Sequence, residues 1–286
     1  MKGSAERRTV LTVLGLEPKK IGGLEAYARE LSLQLGEQGW RSVLCFLSPP
    51  PKELLGYFDL PHVIVETMDG ANSGVKYYCR LTKLLARYRP TILHVHLVSL
   101  FGPYAWLARL FGAKSVFFTD HTSRPAGYVS TSRSLVKRML FRGMLAPLNR
   151  AVCVSGYVEE CLVRGGILPA TQTTVIYNGV DLSRVEAGMS MGGDFRKAYD
   201  IPLGAFLVIQ VGQIIPEKGV SDLLEAASRI CQVDPTVRFL LVGDGSGIEE
   251  YRKQATALGL AGCVKFAGPI ADPLAKGVFA AADLVC

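Results

Sequence analysis

The sequence predicts an α/β fold of two Rossmann-like domains with parallel sheets, the second incomplete. Three observations carry the prediction. Short β-rich runs alternate with longer segments of helical period along the whole chain, the pattern of parallel strands covered by helices. A Gly/Met/Ser-rich stretch, Glu186 to Gly193, interrupts the series once. At 286 residues the chain is long enough for two domains, each with its own core.

In the first series, strands are expected at Val10 to Leu14, Ser42 to Leu47, His62 to Glu66, Thr91 to His96, Ser115 to Thr119, Ala151 to Val154 and Thr174 to Tyr177. They assign residues 1–185 to the first domain. Residues 186–204 read as a linker, and strands at Phe206 to Val211, Arg238 to Val242, Val264 to Ala267 and Asp283 to Cys286 assign 205–286 to a second domain. The first helix shows the criterion: Leu24, Tyr27, Ala28, Leu31 and Leu35 fall on one face, Glu25, Arg29, Gln34 and Glu37 face elsewhere, and Gly39 stops the run. The same criterion gives helices at Val75 to Tyr88, Leu100 to Phe111, Ser132 to Leu145, Tyr157 to Arg164, Val220 to Gln232 and Ile248 to Leu258. Ala280 to Cys286 run from a helix into an apolar strand start with no cap or polar tail, so a truncated second sheet is the expectation.

Composition narrows the class. A hydrophobic fraction of 49% with 20% charged residues excludes a disordered chain. The apolar run Thr9 to Leu16 is too short for a signal-peptide core, and no apolar stretch reaches the length of a membrane span. The cytoplasm is the expected compartment, with a peripheral place on the inner face of the plasma membrane left open. Seven scattered cysteines without a C-x-x-C pair suit buried thiols in a reducing compartment, with neither a disulfide framework nor structural zinc. The net charge of +7 suits an anionic ligand, nucleic acid or a membrane surface without separating them.

Five motifs sit where chemistry is expected. After the first strand, Gly22 and Gly23 open the first helix, where glycine lets the backbone approach a phosphate and the helix amides favour its charge. A tight turn that needs glycine for backbone reasons alone is the alternative. His94 and His96 share a face of the fourth strand, and His121 follows the fifth; the C-terminal ends of strands are the ligand-binding edge of open α/β sheets. His121 leaves its strand into the polar loop Thr122-Ser123-Arg124-Pro125 and is the candidate to reach substrate, whereas at least one of the other two is expected to be a satisfied core group. A metal site from His94, His96 and Asp120 lacks a further ligand cluster, and none is assigned.

In the second series, Gly212-Gln213-Ile214-Ile215-Pro216-Glu217-Lys218-Gly219 joins a strand to a helix, where Lys218 is placed to neutralise a departing diphosphate, although the motif alone also fits a surface lysine in an ordinary loop. The next strand ends Val242-Gly243-Asp244-Gly245-Ser246-Gly247, which resembles a dinucleotide fingerprint but has its third glycine one position early and no ribose-binding acid at the usual distance. A nicotinamide-dependent oxidoreductase fails on those two points. The fifth motif is the segment from His121 to Val158, which has no Asp or Glu and carries Arg124, Arg133, Lys137, Arg138, Arg142 and Arg150 among apolar residues. From Arg133 to Arg150 it suits either an anionic membrane surface or an ordinary covering helix with a solvated basic face. Nucleic acid is not an expected partner, because no aromatic-interleaved basic surface or reading motif accompanies the charge.

Taken in order, the Gly-Gly loop followed by Glu25, the His-x-His strand, His121, Cys153-Val154-Ser155, Ile176-Tyr177-Asn178-Gly179-Val180-Asp181, the Pro216-Glu217-Lys218-Gly219 loop and Val242-Gly243-Asp244-Gly245 resemble glycosyltransferase family 4 over nearly the whole chain. The resemblance implies a GT-B fold and a retaining glycosyltransferase. It implies transfer from a nucleotide diphosphate sugar to a saccharide or lipid-linked acceptor, with no metal or other cofactor. It further implies that the Gly22 and Gly23 amides face the diphosphate, that His121 lies near donor sugar and acceptor, and that Lys218 steadies the leaving phosphate. Gly212, Gln213, Gly243, Asp244 and Gly245 complete the donor-binding set. The family usually has arginine where this chain has Gln213, and its paired-glutamate motif would follow the strand that starts at Asp283. The expected activity of the chain as given is therefore weak or absent, with a non-catalytic acceptor-, lipid- or partner-binding module as the alternative.

Overall fold

The computed structural model describes residues 8–19, 21–71, 73–122, 124, 128 and 135–286. Ser123, Pro125, Ser132 and Arg133, named above, lie outside these residues, as does the side chain of Arg138. Two compact units divide the chain, Met1–Gly179 and Val180–Cys286.

The first unit alternates strand and helix throughout: β1 (Thr9–Leu14), α1 (Gly23–Glu37), β2 (Arg41–Phe46), α2 (Lys52–Tyr57), β3 (Val63–Thr67), α3 (Gly74–Tyr88), β4 (Ile92–His96), α4 (Tyr104–Leu110), β5 (Ser115–Asp120), α5 (Leu135–Leu145), β6 (Arg150–Cys153), α6 (Gly156–Arg164) and β7 (Thr173–Val175). The seven strands pair in parallel in the order β3-β2-β1-β4-β5-β6-β7. Because side chains alternate across a strand, each strand presents one set of residues to each side of the sheet. Leu11, Val13, Val43, Leu93, Val95, Val116, Phe118, Ala151 and Cys153 pack on one side under α3, α4, α5 and α6. On the other side Leu14, Leu44 and Phe46 meet Ala28 of α1 and Leu54 of α2. The helix expected from Leu100 starts only at Tyr104, behind Pro103, whose missing N–H suits a helix start.

The second unit contains α7 (Leu182–Met189), α8 (Gly192–Ala198), β8 (Leu207–Val211), α9 (Val220–Val233), β9 (Arg238–Val242), α10 (Ile248–Ala257), β10 (Val264–Gly268), α11 (Val278–Ala281) and β11 (Leu284–Val285). Its four strands are parallel, in the order β10-β9-β8-β11. Val208, Phe239 and Leu241 pack against α9 and α10 on one side, while Leu207, Ile209, Leu240 and Val242 pack against Phe195 of α8 and Val278 and Ala281 of α11 on the other.

The stretch read as a linker is instead the two helices α7 and α8. The glycines that suggested flexibility are contact points: a Cβ on Gly188 would collide with the Leu274 carbonyl, and one on Gly192 would lie 2.7 Å from the Ala280 carbonyl. Small residues here let helices touch backbone to backbone, a use that composition does not separate from a loop. Two arginines lock the same helices down. Arg184 makes a two-pronged pair with Asp272, Nη2 to Oδ1 at 2.7 Å and Nε to Oδ2 at 3.3 Å. Arg196 binds Asp283 at 2.6 Å and donates to the Ala281 and Ala205 carbonyls, while Asp283 also accepts the Leu207 amide at 2.7 Å.

Partial burial raises the Asp272 pKa, but the Arg184 hydrogen bond and charge outweigh it and hold the carboxyl below its ordinary value. A folded-state pKa below the unfolded one contributes stability that is present above about pH 4 and is lost as the pH falls. Arg184→Ala is therefore expected to destabilise the second unit by roughly 2 kcal/mol at pH 7, and by clearly less at pH 3. Hydrogen-exchange protection of the β8 amides reads this, and protection equal to the parent's at pH 7 would refute it.

Candidate active site

In the first unit β1 has β2 on one side and β4 on the other, so the chain leaves these two neighbours in opposite directions. That reversal opens a crevice beyond the strands' C-terminal ends. The loops after β1 and β4 stay in contact at its root, where the Gly15 amide donates to the His96 carbonyl at 2.8 Å. A Cβ on Gly15 would collide with the Leu97 carbonyl, so this approach requires glycine.

A cavity of about 430 Å³ runs from this crevice along the sheet face beside α1. Its floor is the set of residues on β4, β5 and β6 that alternate with the core: Ile92, His94, His96, Phe117, Thr119 and Val152. Leu24, Tyr27, Leu31 and Leu35 of α1 form a wall. The apolar face of the first helix is thus divided. Ala28 enters the core as expected, whereas the other four residues border open space, because the sheet between α1 and β7 carries no helix on this face among the described residues.

Three histidines meet at the mouth. The His94 and His96 rings lie 4.0 Å apart between centroids, and those of His96 and His121 5.4 Å apart. His94 Nε2 lies 2.7 Å from the Thr119 hydroxyl, so His94 is the satisfied core group that alternation anticipates. His96 Nδ1 lies 3.1 Å from His121 Nε2. Burial pushes the His94 pKa down to about 4, aided by His121, and that of His96 down to about 2, aided by its two neighbours. Burial also lowers His121, against the pull of the Asp120 carboxylate. All three are neutral imidazoles at pH 7.

Asp120 is engaged elsewhere. One carboxylate oxygen accepts the Thr122 amide at 2.9 Å and the other accepts Arg124 Nη2 at 2.6 Å. This pair ties down the start of the loop that carries His121. Among the described residues no group of three His, Cys, Asp or Glu side chains is arranged to hold a metal ion.

The two glycines at the start of α1 separate in role. The Gly22 amide is taken by the Glu25 carboxylate at 3.0 Å, and a Cβ on Gly22 would lie 2.9 Å from that oxygen. The Gly22 amide, expected to face a phosphate, is engaged by the Glu25 carboxylate in this structure. Gly23 has open space where a Cβ would be and lines the cavity. Glu25 three residues after Gly22 is the spacing of a helix start, and it was the signal available in the sequence.

In the second unit, two glycine loops meet. Ile214 donates to the Asp244 carbonyl at 3.0 Å, and Gly212 to that of Val242 at 3.0 Å. A Cβ on Gly243 would strike the Gly212 carbonyl, and one on Gly245 that of Ile214. Gly243, Asp244 and Gly245 thus brace the loop from Gly212 to Gly219. Gly219, at φ +66, turns that loop into α9. Lys218 and Gln213 project from it, both exposed, and no carboxylate lies within ion-pair distance of the Lys218 ammonium among the described residues. Gln210, which sequence reasoning missed, donates its Nε2 to the Lys218 carbonyl at 2.8 Å.

Comparison with known proteins agrees with this architecture. Residues 21–184 match the profile of Glycosyltransferase Family 4, and residues 193–286 that of Glycosyl transferases group 1. The chain is 26% identical over 296 residues to a D-inositol 3-phosphate glycosyltransferase of Thermomonospora curvata, covering 92% of this chain and 68% of that one. It is 23% identical over 278 residues to the alpha-monoglucosyldiacylglycerol synthase of Streptococcus pneumoniae, covering 92% of this chain and 62% of that one. Across the curated relatives it matches, the chain spans from about a third to about two thirds of their lengths. Its fold is similar to that of the Anabaena protein HepE in complex with UDP and glucose, with a TM-score of 0.70 at 19% identity, covering 98% of this chain and 73% of that one. By the profile that matches more than half of its length, the chain belongs to glycosyltransferase family 4.

Proposed function

We propose that this chain carries sugar-handling machinery of a retaining glycosyltransferase, which moves a sugar from a nucleotide diphosphate sugar to a saccharide or lipid-linked acceptor. The observation that carries the reading is Lys218, a cation without a carboxylate partner among the described residues, on a strand-to-helix loop braced by a second glycine loop. As a glycosidic bond to a diphosphate breaks, negative charge grows on the leaving oxygens. A cation already in place stabilises it without reorganisation. Gln213, on the same loop, donates a hydrogen bond to phosphate but adds no charge. His121 contacts the transferred sugar or its acceptor, and no metal or other cofactor takes part.

Retention follows if the acceptor attacks from the side the diphosphate leaves, with a phosphate oxygen taking the acceptor hydroxyl's proton. No protein nucleophile is needed on this route. In support, the cavity lining contains no Asp, Glu, Ser or Cys among the described residues, and its Thr119 hydroxyl is held by His94. The fold of HepE, similar to this one, accommodates UDP and glucose.

Binding to this chain is weak on the same reading, because Lys218 is the single cation in its loop and Glu25 has taken the Gly22 amide. The alternative of a non-catalytic module for acceptor, lipid or partner gains from the described part of α5. Val136, Met139 and Leu140 are all more than 60% exposed there, beside Lys137 and Arg142 and without an acidic residue. That surface suits peripheral attachment to an anionic leaflet. No helix is long and apolar enough to cross a membrane among the described residues.

Calorimetric titration with a panel of nucleotide diphosphate sugars is expected to show weak binding that Lys218→Ala weakens about tenfold or more, a loss of ~1.4 kcal/mol, with the fold intact. An unchanged Kd removes Lys218 from the mechanism, and rapid turnover by the chain itself contradicts the weak-binding reading. Sedimentation with anionic vesicles is expected to show salt-sensitive binding that falls when Lys137 and Arg142 are both replaced by Gln. Equal binding to neutral vesicles rejects the membrane surface.

A further inference from the structure

One nitrogen at the floor of the histidine cluster is left over. His96 is 1% exposed, and its Nε2 is enclosed without a hydrogen-bond partner among the described residues. Its other ring nitrogen, Nδ1, faces His121 Nε2 at 3.1 Å. Two neutral imidazoles at that distance share one proton, which leaves two arrangements.

If His121 donated from Nε2, His96 would accept on Nδ1 and carry its own proton on the enclosed Nε2, burying an N–H that has no acceptor. If His96 donates from Nδ1, the enclosed Nε2 is a bare lone pair, and His121 carries its proton on Nδ1. Orphaned buried N–H groups are rarer in proteins than under-satisfied acceptors, and the second arrangement avoids one. We propose that His96 is a positioning residue whose Nδ1–H donates to His121 Nε2. It thereby holds His121 in the tautomer with its proton on Nδ1, the ring nitrogen left unpartnered among the described residues, as a hydrogen-bond donor to an oxygen of the bound sugar or acceptor.

The same contact opposes charging of His121. A second proton on His121 Nε2 would force His96 to move its own proton to the enclosed Nε2. The titratable groups around the pair are His94 on β4, Tyr27 on α1 at 5.6 Å between ring centroids from His96, Tyr177 in the cavity lining, and Asp120 on β5. Asp120 favours a charged His121, but its carboxylate is spent on Arg124 and the Thr122 amide, and burial prevails. His121 is thus a neutral donor to substrate and not its base, in keeping with a reaction in which the leaving phosphate takes the proton.

This inference rests on the reading of His121 as a ligand-contacting residue, but its test needs neither ligand nor turnover. Nitrogen NMR of the chain labelled with ¹⁵N-histidine, its four imidazoles assigned by single replacements, is expected to show His121 neutral at pH 7 with a protonated Nδ1 and a bare Nε2. In His96→Phe, which keeps a ring and removes both nitrogens, His121 is expected to revert to the Nε2–H form and its titration midpoint to rise toward about 6.5. His96→Asn, whose side-chain N–H occupies the place of Nδ1, is expected to retain the parent tautomer. A protonated Nε2 on His121 in the parent overturns the proposal, as does an unaltered tautomer and midpoint in folded His96→Phe. The parent measurement decides the question even if that variant does not fold. A failure of sugar binding or transfer would leave these spectra untouched, so the two readings fail separately.

Discussion

The pairing of β4 alongside β1 is the constraint on which the candidate site depends. Their register sets Thr12 beside His94 and Leu14 beside His96, and the following residue, Gly15, donates its amide to the His96 carbonyl. Because the chain runs from β1 toward β2 on one side while β4 leads toward β5 on the other, the loops diverge beyond these two strands and leave a crevice. His96 ends β4 at that gap, and β5, paired with β4, delivers His121 next to it. Without the pairing of β5 to β4 the two imidazoles would be separated.

The electrostatics of the two units differ in kind. In the first, the imidazoles that line the cavity are kept neutral, and the buried Asp120 carboxylate beside them is paired with Arg124. Burying an unpaired charge would cost far more than burying a neutral ring. In the second, Lys218 stands in solvent with its hydration intact, and precision comes from backbone packing between two glycine loops. An exposed cation suits the charge of a phosphate ester, whereas neutral donors suit sugar hydroxyls.

Much of the fold was legible in the residues. Seven strands of the first unit and four of the second were readable because each has a compact apolar run, and the helices between them repeat with helical period. Elements α2, α7 and α8 escaped, being at most eight residues long and too short for periodicity to declare itself. In the site, His121 was singled out by its position at a strand end. Gln210 was invisible because nothing local says that its amide reaches the Lys218 carbonyl eight residues on. Glu25 was visible as the acid after the Gly-Gly pair, yet only the folded helix start shows that it takes the Gly22 amide.

By itself, then, the sequence determined the alternation of strands and helices, the family, the positions of His94, His96 and His121 toward strand ends, and that of Lys218 in a strand-to-helix loop. These follow from local patterns, since side-chain periodicity and turn chemistry act over a few residues. The tertiary structure decided which face of α1 meets the core and which lines a cavity, and that Gly188, Gly192, Gly243 and Gly245 are contact surfaces and not flexible joints. It also decided that Asp120 serves Arg124 while His96 serves His121. The Asp120–Arg124 pair spans four residues, but its burial depends on the surrounding sheet; the other partners are brought together across parallel strands by crossovers. Pairing of that kind is a property of the closed sheet and has no signature in either segment alone.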